Sequence, residues 1–485
     1  MAHTRLCVTV AARTMADLRA RRDALAGADL VELRLDTVDR PDVDGTLAGR
    51  RGPVIVTCRP AWEGGAFRGS EEERLGLLER ALEAGAEFVD VEARALTPAF
   101  ANGAHRARLV VSLHDFDGVP GDLDARVAAM SATGAGTVKV AVMAQRLSDC
   151  LRLLDLAERR GAPTSVIAMG EAGIATRVLA ARFGSCWTYA AEDAAVAPGQ
   201  LSARRMHDEF GFSRVGADTA LYGVLGRPVS HSVSPAIHNA AFRALGLDAV
   251  YLPLAAESYE DFVAFADGMD LRGASVTAPF KVDAFNHAGT RDEQTRRSQA
   301  INTLRRRDGR WEGLNTDAAG FMAPLTRQGG VTGARVTILG AGGAARAVAV
   351  ALGVAGASVT LCARRIEQAE AVARLTGARV APWPPVPGSW DILVNATPVG
   401  THPRVDESPL PAAALDGGLV YDLVYNPPRT RLMADAAARG CRTLGGLDML
   451  VAQAQAQCAW WTGAHPPDRT MRDAALARLH EINHV

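Results

Sequence analysis

The sequence predicts an α/β protein in which an N-terminal (β/α)8 barrel is followed by a two-lobed α/β domain with a Rossmann-type lobe. Three observations support this prediction. Up to about residue 210, eight short apolar runs alternate with amphipathic helical segments. The segment GFSRVGADT (211–219) then interrupts the alternation with glycine and small polar residues, which indicates a domain boundary. Further on, RVTILGAGGAARAVAVAL (335–352) combines a strand, a glycine-rich turn and a helix.

The barrel prediction depends on eight strands that are separated by helices. Segments such as EEERLGLLERALEAGA (71–86) carry helix formers, apolar periodicity and a terminal glycine. The predicted strands are Leu6–Val10, Leu30–Leu35, Val54–Cys58, Phe88–Glu92, Leu109–His114, Thr137–Val142, Thr164–Met169 and Ser185–Tyr189.

Composition and charge exclude several classes of protein. The formal net charge is -1 without long blocks of like charge, so neither nucleic acid nor an anionic membrane is an expected partner. No apolar run reaches the roughly 20 residues of a membrane span, and a strand-like run begins almost at once, so we expect no targeting peptide. The seven cysteines are scattered without a CxxC pair, which favours a reducing cytoplasm and argues against a metal site. We expect a cytoplasmic protein with small-molecule ligands, and nothing in the sequence indicates a particular oligomeric state.

Polar side chains recur at the carboxyl ends of the predicted barrel strands, where barrel enzymes hold their chemistry. They are Glu32, Arg34, Arg59, Glu92, His114 and Lys139. Lys139 stands inside the apolar run TVKVAV (137–142). The alternative explanation for this lysine, a charge that protects an edge strand, does not suit a closed barrel.

Lys139 and His114 suggest carbonyl chemistry. Desolvation beside apolar neighbours would favour the neutral amine of Lys139, which is the form that attacks a carbonyl and makes a Schiff base. His114 would then transfer protons near neutral pH, with Glu92 orienting its ring. A lone histidine at a strand end is also a common structural feature, and the buried lysine beside it favours the catalytic interpretation.

Seven motifs in this half resemble type I 3-dehydroquinate dehydratase, in the order found in that family. They are ELRLD (32–36), TCRPAWEGG (57–65), DVE (90–92), SLHDF (112–116), VKVAVM (138–143), MGEAGIATR (169–177) and APGQ (197–200). The resemblance implies that Lys139 forms a Schiff base with the ketone of 3-dehydroquinate. It also implies that His114, with Glu92 as its partner, is the general acid/base for loss of water.

The same resemblance implies residues that hold the substrate. Arg177 would clamp the substrate carboxylate, since a guanidinium donates two parallel hydrogen bonds. The other implied contacts are Glu32, Arg34, Arg59 and Gln200. Two positions depart from the family, in which serine is usual at both. They are Val196, on a loop that covers the substrate, and Thr176, which keeps a hydroxyl.

Short polar motifs in the second half suit a polyhydroxylated small acid. LYGVLGRPVSHSVSPAIHNAAF (221–242) places Ser232 and Ser234 before a predicted helix, and plain N-capping is the alternative explanation for them. The further motifs are VTAPFK (276–281) with Lys281, AINTL (300–304) with Asn302 and LNTDAAG (314–320) with Asp317. A lysine together with an aspartate can transfer a proton to an alcohol.

The glycine-rich segment from 335 to 352 fits the dinucleotide-binding pattern GxGxxA between a strand and a helix. Its turn residues are Gly340, Ala341, Gly342, Gly343 and Ala345. The next strand, SVTLCARR (358–365), ends in Arg364 and Arg365 where an acidic residue would favour NAD, so the 2′-phosphate of NADP is the expected ligand. Two solvated arginines after a strand are the alternative explanation.

These blocks in this order resemble shikimate dehydrogenase over about residues 221–465. Three more motifs add to the resemblance: NATPVG (395–400), DLVYNP (422–427) and GGLDMLVAQAQAQ (445–457). It implies that Lys281 and Asp317 are the catalytic pair. The implied substrate contacts are Ser232, Ser234, Thr277, Asn302, Tyr425 and Gln453, and the implied cofactor contacts include Thr397, Gly446 and Met449. The departures from the family are Ser275 for asparagine, Ala278 for a β-branched residue and Ala363 for asparagine.

Together, the two resemblances imply a barrel at 1–213 and a dehydrogenase at 219–485. The dehydrogenase would have a substrate lobe at 219–325 plus 446–485 and an NADP lobe at 326–445. The chain would convert 3-dehydroquinate to 3-dehydroshikimate and then to shikimate with NADPH, without a metal, in aromatic amino acid biosynthesis. One alternative is a catabolic dehydratase and quinate dehydrogenase, which would use NAD. Another is a non-catalytic metabolite sensor, which should have lost Lys139, His114, Lys281 or Asp317, and all four are present.

Overall fold

The computed structural model describes residues 4–25, 28–97, 100, 105–158, 162–192, 196–289 and 292–484. The chain divides into two compact units. The first comprises Met1–Ala220 and Leu252–Asp270, and the second comprises Leu221–Tyr251 and Leu271–Val485. Residues 252–270 therefore fall with the first unit, and the predicted domain boundaries at 213 and 219 stay a prediction. Among the described residues, no helix has both the length and the apolar character to cross a membrane.

The first unit contains an eight-stranded sheet in the order β7–β6–β5–β4–β3–β2–β1–β8. Its strands are β1 (Arg5–Ala11), β2 (Leu30–Arg34), β3 (Val54–Thr57), β4 (Phe88–Glu92), β5 (Leu109–Asp115), β6 (Thr137–Met143), β7 (Thr164–Met169) and β8 (Trp187–Ala191). Neighbouring strands run parallel from β7 through β1 to β8. The Cys186 N–H donates to the Thr164 carbonyl, and the Ser165 hydroxyl donates to the Trp187 carbonyl, so the ring nearly closes. The predicted barrel is confirmed.

Helices separate the barrel strands. They are α1 (Met15–Ala24), α2 (Val43–Leu47), α3 (Glu71–Glu83), α4 (Leu123–Ala132), α5 (Asp149–Glu158), α6 (Ile174–Val178) and α7 (Ala203–Asp208), and α9 (Tyr259–Gly268) also belongs to this unit. Helix α3 begins with a capping box, in which Ser70 and Glu73 each satisfy a backbone N–H of the other. The predicted strand bounds differ from the observed ones by at most two residues. The largest shift is at β8, which begins at Trp187 and not at Ser185. The Ser185 hydroxyl accepts a hydrogen bond from the Val166 N–H, so this residue belongs to the turn before the strand.

A mixed sheet in the order β10–β9–β11–β12–β13 belongs to the second unit, except that the last four residues of β10 fall in the 252–270 segment of the first. These strands are β9 (Ala220–Gly226), β10 (Ala249–Ala255), β11 (Gly273–Val276), β12 (Thr303–Arg307) and β13 (Arg310–Leu314). The associated helices are α8 (Ser234–Ala244), α10 (Lys281–His287), α11 (Glu293–Ser298) and α12 (Asp317–Arg327). The chain returns to this region through α16 (Gly446–Thr462), which packs on α12, and α17 (Asp468–His484), which packs on α8. The predicted return of the C-terminal segment to the substrate lobe is therefore observed.

A six-stranded parallel sheet in the order β16–β15–β14–β17–β18–β19 forms the other lobe of this unit. Its elements are β14 (Arg335–Leu339), α13 (Gly343–Val354), β15 (Ser358–Cys362), α14 (Ile366–Thr376), β16 (Arg379–Ala381), β17 (Ile392–Asn395), β18 (Leu419–Asp422), α15 (Arg431–Ala438) and β19 (Arg442–Gly445). The strand order reverses between β14 and β17, and ligands of such sheets bind beyond the carboxyl ends of the strands at this switch point. The predicted Rossmann-type lobe is confirmed.

Candidate active sites

A cavity of about 80 Å³ opens at the carboxyl ends of the barrel strands. Most of the residues that the sequence predicted for the first site line it together. They are Glu32, Arg34, Arg59, His114, Lys139, Arg177 and Gln200. Glu92 does not line the cavity, and Glu63, which was not predicted, does.

Lys139 lies on β6 with only 5% of its surface exposed. Its Nζ is 3.2 Å from Oε1 of Glu32 and 3.0 Å from Oδ2 of Asp90, and it lies 4.1 Å from the centre of the Tyr189 ring. The expected apolar surroundings of this lysine were wrong. Period-2 alternation explains the error, because Val138 and Val140 point away from the barrel axis while Lys139 faces the polar residues of the other strands.

The barrel floor holds a balanced set of charges. Arg59 forms ion pairs with Asp90 at 2.9 Å and with Glu92 at 2.6 Å. The second carboxylate oxygen of Glu92 is 2.7 Å from Nη1 of Arg74, which is fully buried. Together with Lys139 and Glu32, this set comprises three cations and three carboxylates. We call it the floor network. Charges that are removed from water at this depth are tolerated only when they are paired.

Burial and ion pairing shift the pKa values of the floor network in opposite directions. Burial alone would raise the pKa of Glu32 and Asp90, but the neighbouring cations outweigh it, and the pKa of each carboxyl lies below its ordinary value. Arg59 is affected in the opposite direction, because burial would lower its pKa but the surrounding carboxylates raise it. Glu32, Asp90 and Arg59 are therefore ionised at neutral pH, whereas burial raises the pKa of Glu92 above its ordinary value.

His114 pairs with Glu63 and not with Glu92, so the predicted partner was wrong. Its Nδ1 and its backbone N–H both donate to Oε1 of Glu63, at 2.9 and 2.8 Å. The register of the strands explains the difference, because Glu92 on β4 lies opposite Ser112 on β5, two residues before His114. Glu63 instead reaches His114 from the loop after β3.

The loop that carries Glu63 has a conformation that requires glycine. Gly64 follows Glu63 with φ of +77°, and a Cβ at this position would lie 2.4 Å from Cζ of Phe116. The motif TCRPAWEGG contained this signal, since a glutamate before two glycines is poorly placed in a helix or a strand. The prediction used only the arginine of that motif.

The His114–Glu63 pair is arranged for proton transfer. Burial, reinforced by the Arg59 and Lys139 cations, lowers the pKa of His114 well below its ordinary value, so the ring is neutral. With Nδ1–H donating to Glu63, the unprotonated Nε2 is the basic atom of the ring. Burial and nearby carboxylates raise the pKa of Glu63 to about 7.

Arg177 and Gln200 lie at the other side of the cavity. The Arg177 guanidinium donates to the carbonyls of Tyr189 and Pro198 at 3.4 and 3.2 Å, and its buried Nε has no hydrogen-bond partner among the described residues. Burial lowers the pKa of Arg177 to about 10. The Gln200 Oε1 accepts the backbone N–H of Val196, whose side chain is 41% exposed. The arrangement suits a small carboxylate.

A second cavity, of about 340 Å³, lies within the second unit. It brings together all the residues that were predicted to contact shikimate, together with the predicted catalytic pair. They are Ser232, Ser234, Thr277, Lys281, Asn302, Asp317, Tyr425 and Gln453, and Gly446 and Met449 also line the cavity. Nζ of Lys281 is 2.5 Å from Oδ2 of Asp317, and Nδ2 of Asn302 donates to Oδ1 of the same carboxylate at 2.6 Å. An ammonium, a carboxylate and an amide therefore converge at one point.

The glycine-rich turn adjoins this cavity. Gly340 has φ of +107°, and a Cβ there would lie 3.1 Å from the Ala396 carbonyl, next to Thr397. Gly342 precedes α13, has open space where a Cβ would stand, and provides no side-chain cap for the first N–H groups of the helix. Such a helix start fits a pyrophosphate. The predicted Arg364 and Arg365 are exposed at the carboxyl end of the adjacent strand β15.

Family models match three stretches of the chain. The model for type I 3-dehydroquinase matches residues 6–216. The shikimate dehydrogenase substrate binding domain matches residues 224–304, and the shikimate 5′-dehydrogenase C-terminal domain matches residues 446–476.

Solved structures of shikimate dehydrogenases resemble the second half. One from Thermus thermophilus in complex with NADP(H) and shikimate is 37% identical, with a TM-score of 0.50, over 53% of this chain and 99% of that chain. Another in complex with NADP+ is 32% identical, with a TM-score of 0.52, over 54% of this chain and 97% of that chain.

Curated relatives cover one or both halves. A shikimate dehydrogenase (NADP(+)) from Moorella thermoacetica is 40% identical over 54% of this chain and 95% of its own length. The chloroplastic bifunctional 3-dehydroquinate dehydratase/shikimate dehydrogenase of Arabidopsis thaliana is 33% identical over 474 residues, which are 91% of this chain and 79% of that protein. The chain therefore belongs to the family of bifunctional 3-dehydroquinate dehydratase/shikimate dehydrogenases.

Proposed function

We propose that this chain catalyses two consecutive reactions: dehydration of 3-dehydroquinate to 3-dehydroshikimate in the barrel, and NADPH-dependent reduction of that product to shikimate in the second unit. The observation that carries the first assignment is a buried lysine that shares one cavity with a histidine–carboxylate pair and an arginine with an unused donor. The second assignment follows from the Lys281–Asp317 pair beside a dinucleotide-binding turn.

The first reaction begins at Lys139. Glu32 and Asp90 hold the ammonium, which loses one proton to the carbonyl oxygen as the nitrogen attacks the substrate ketone. The carbonyl oxygen leaves as water, and a protonated imine forms between Nζ and the substrate. This iminium withdraws electrons from the adjacent carbon, so a proton on that carbon becomes acidic.

His114 then transfers the protons of the elimination. Its Nε2 removes the proton next to the iminium, and the resulting enamine expels the hydroxyl one carbon further on as the histidine returns that proton to the leaving oxygen. Glu63 stabilises the imidazolium in between through Nδ1–H. Water finally hydrolyses the imine, which restores the ketone and the Lys139 amine. Arg177 holds the substrate carboxylate throughout.

In the second reaction, the chain supplies a proton and orientation. When bound, the reduced nicotinamide supplies the hydride that converts the ketone to an alcohol. Lys281 donates a proton to the carbonyl oxygen, and Asp317 holds the ammonium in place at 2.5 Å. Ser232, Ser234 and the other polar residues of this cavity bind the hydroxyl and carboxylate groups of the substrate.

The cofactor assigned to this site is NADP(H). The turn at Gly340–Gly343 and the start of α13 would hold the pyrophosphate. Arg364 and Arg365 would pair with the 2′-phosphate, which NAD lacks. The named NADP(+) dependence of the relatives supports this choice over NAD.

One assay tests both assignments together. Purified protein is mixed with 3-dehydroquinate and NADPH, and the absorbance of the conjugated product and of the reduced cofactor are followed. We expect the conjugated ketone to form first and NADPH to be consumed as it is reduced. If the ketone forms while NADPH stays constant, the second assignment fails, and NADH and quinate become the next compounds to test. If neither signal changes, the first assignment fails, and 3-dehydroshikimate is then added directly with NADPH to test the second.

A further inference from the structure

A chain of buried hydrogen bonds leads away from the catalytic pair of the second unit. Asn302 Nδ2 donates to Asp317, and Asn302 Oδ1 in turn accepts the Thr303 hydroxyl at 2.7 Å. The Thr303 hydroxyl oxygen accepts from Gln457 Nε2 at 3.0 Å, and Gln457 Oε1 lies 3.2 Å from Nε2 of His238. Every member of this chain is less than 9% exposed, and His238 is entirely buried. None of the motif resemblances assigns a role to His238.

The direction of each hydrogen bond in this series can be derived by starting from the Asp317 carboxylate. The Asp317 carboxylate can only accept, so the Asn302 amide nitrogen must point towards it. Asn302 Oδ1 then faces Thr303, which must donate to it and accept from the Gln457 amide nitrogen. Gln457 Oε1 is left facing His238, so Nε2 of that histidine must carry the hydrogen. All donors in the chain therefore point towards the catalytic carboxylate.

The surroundings of His238 agree with this tautomer. Its Nδ1 has no hydrogen-bond partner in the part of the chain that the structure describes, which is tolerable for an unprotonated nitrogen and costly for a buried N–H. The ring is stacked on Tyr251 at 4.4 Å between centroids. Burial lowers the pKa of His238 to about 3, so the ring stays neutral throughout the physiological range.

A second donor acts on the same amide. The Ser275 hydroxyl donates to Gln457 Oε1 at 2.7 Å and accepts the Tyr251 hydroxyl at 2.6 Å. A flipped Gln457 amide would place its NH2 group against both His238 and Ser275, and it would turn its oxygen towards the Asn302 carbonyl, 3.3 Å from its present nitrogen. Ser275, where the family usually has asparagine, therefore helps His238 to fix the orientation of the Gln457 amide.

We propose that His238 is a positioning residue for the shikimate site, which acts with Ser275 to hold the Gln457 amide, and through Thr303 the Asn302 amide, in the orientation that presents a donor to Asp317. The proposal rests on the proposed function of this cavity. Loss of the His238 N–H removes one of the two donors to Gln457 Oε1 and leaves only the Ser275 hydroxyl. The Gln457 amide is then held less firmly, and the shift passes through Thr303 to Asn302, whose Oδ1 also accepts the Thr316 N–H, and so displaces Asp317 relative to Lys281. The expected defect lies in catalysis of shikimate oxidation and not in NADP binding.

The test compares two substitutions of this histidine. His238→Phe keeps the ring and its stacking but removes the donor, and His238→Gln keeps an N–H that reaches the Nε2 position. We expect His238→Phe to lower kcat/KM for shikimate about tenfold, which corresponds to about 1.4 kcal/mol for one hydrogen bond. His238→Gln should recover most of that loss. KM for NADP and the dehydratase activity of the same preparation should not change in either variant.

A substitution at another member of the hydrogen-bond chain makes the test independent of how well His238→Phe folds. Thr303→Val has nearly the same shape as threonine and interrupts the chain between Gln457 and Asn302. It should reproduce the loss seen in His238→Phe, and the double variant should be no worse than either single variant, because both changes disable one device. The exposed His465, changed to phenylalanine, serves as the matched control and should match the unmodified protein.

Several results would overturn the proposal. One is wild-type kcat/KM in His238→Phe, and another is an equal loss in His238→Gln and His238→Phe. A double variant whose losses multiply would show two separate effects and would also refute a single chain. If the unmodified protein oxidises no shikimate at all, the failure belongs to the proposed function of the cavity and not to His238.

Discussion

Replacing Glu63 with glutamine should weaken the dehydratase and strengthen the barrel at the same time. The glutamine side chain keeps an oxygen that can accept the two His114 hydrogen bonds, but it cannot carry the negative charge that stabilises an imidazolium. We expect kcat for dehydration to fall by about 10²-fold or more, as is typical when a general acid/base loses its partner. Shikimate oxidation in the other unit should be unchanged.

The stability gain follows from the pKa of Glu63. Burial raises it from the ordinary 4.5 to about 7, so the folded state binds this proton more tightly than the unfolded state does. The stability that the protonated group contributes is complete below about pH 4.5 and is lost as the pH rises through 7. Above pH 7 the ionised carboxylate costs about 3 kcal/mol, since each pKa unit corresponds to 1.36 kcal/mol. A neutral glutamine avoids this cost, less the desolvation of its amide, so we expect a gain of about 2 kcal/mol at pH 8.

Hydrogen exchange measures this gain within the first unit alone. Peptides that cover residues 109–115 and 137–143 report on β5 and β6, and wild type and Glu63→Gln are compared at pH 8 and at pH 5. The variant should be more protected at pH 8, and the difference should shrink to less than about 1 kcal/mol at pH 5, where the folded wild type is already protonated. Equal protection at pH 8, or a gain that is the same at both pH values, would refute the assigned pKa shift. The pH profile of dehydration should lose its limb near pH 7 in the variant.

The other predictions concern each site separately. Lys139→Ala should abolish dehydration and the borohydride-trapped adduct while shikimate oxidation stays near normal, and loss of both activities would mean that the units are not independent. Asp317→Asn should reduce kcat for shikimate about 10²-fold with little change in KM for NADP, and an equal rise in both KM values would instead indicate a structural defect. Changing Arg364 and Arg365 to alanine should raise KM for NADP at least about tenfold without affecting the slow reaction with NAD, because only NADP carries the 2′-phosphate. A parallel loss with both cofactors would exclude this role.

Most of the fold could be predicted from the sequence because it depends on periodicities that neighbouring residues establish. Strands β4 and β7 have the predicted bounds, since an apolar run ends at a polar or glycine residue in both cases. β8 was placed two residues too early, because Ser185 and Cys186 look like strand residues although Ser185 binds the backbone of β7 through its side chain. Local pattern does not reveal a hydrogen bond of that kind.

At the candidate sites, too, the local sequence pattern predicts single residues but not the partners that they contact. Residues such as Lys139 and Asp317 were predicted individually, and the structure places them in the two cavities. Their partners depend on register and on loop paths, which a single sequence does not specify. Glu92 was paired with His114 because both end neighbouring strands, but strand register separates them and Glu63 arrives from a loop. The buried chain from His238 to Asp317 passes through a glutamine 219 positions away from the histidine, so it has no sequence signature.

The floor network of the barrel has a consequence for the chemistry above it. Its three cations and three carboxylates are already balanced while Lys139 is an ammonium, and an iminium nitrogen at the same position carries the same single positive charge. In the proposed mechanism the covalent intermediate would therefore form in an electric field that was assembled when the protein folded, and the surrounding dipoles would not need to reorganise as the bond forms. A designer who wished to make this barrel bind another ketone through the lysine could leave the floor network unchanged and alter only the other side of the cavity, where Arg177 and Gln200 lie.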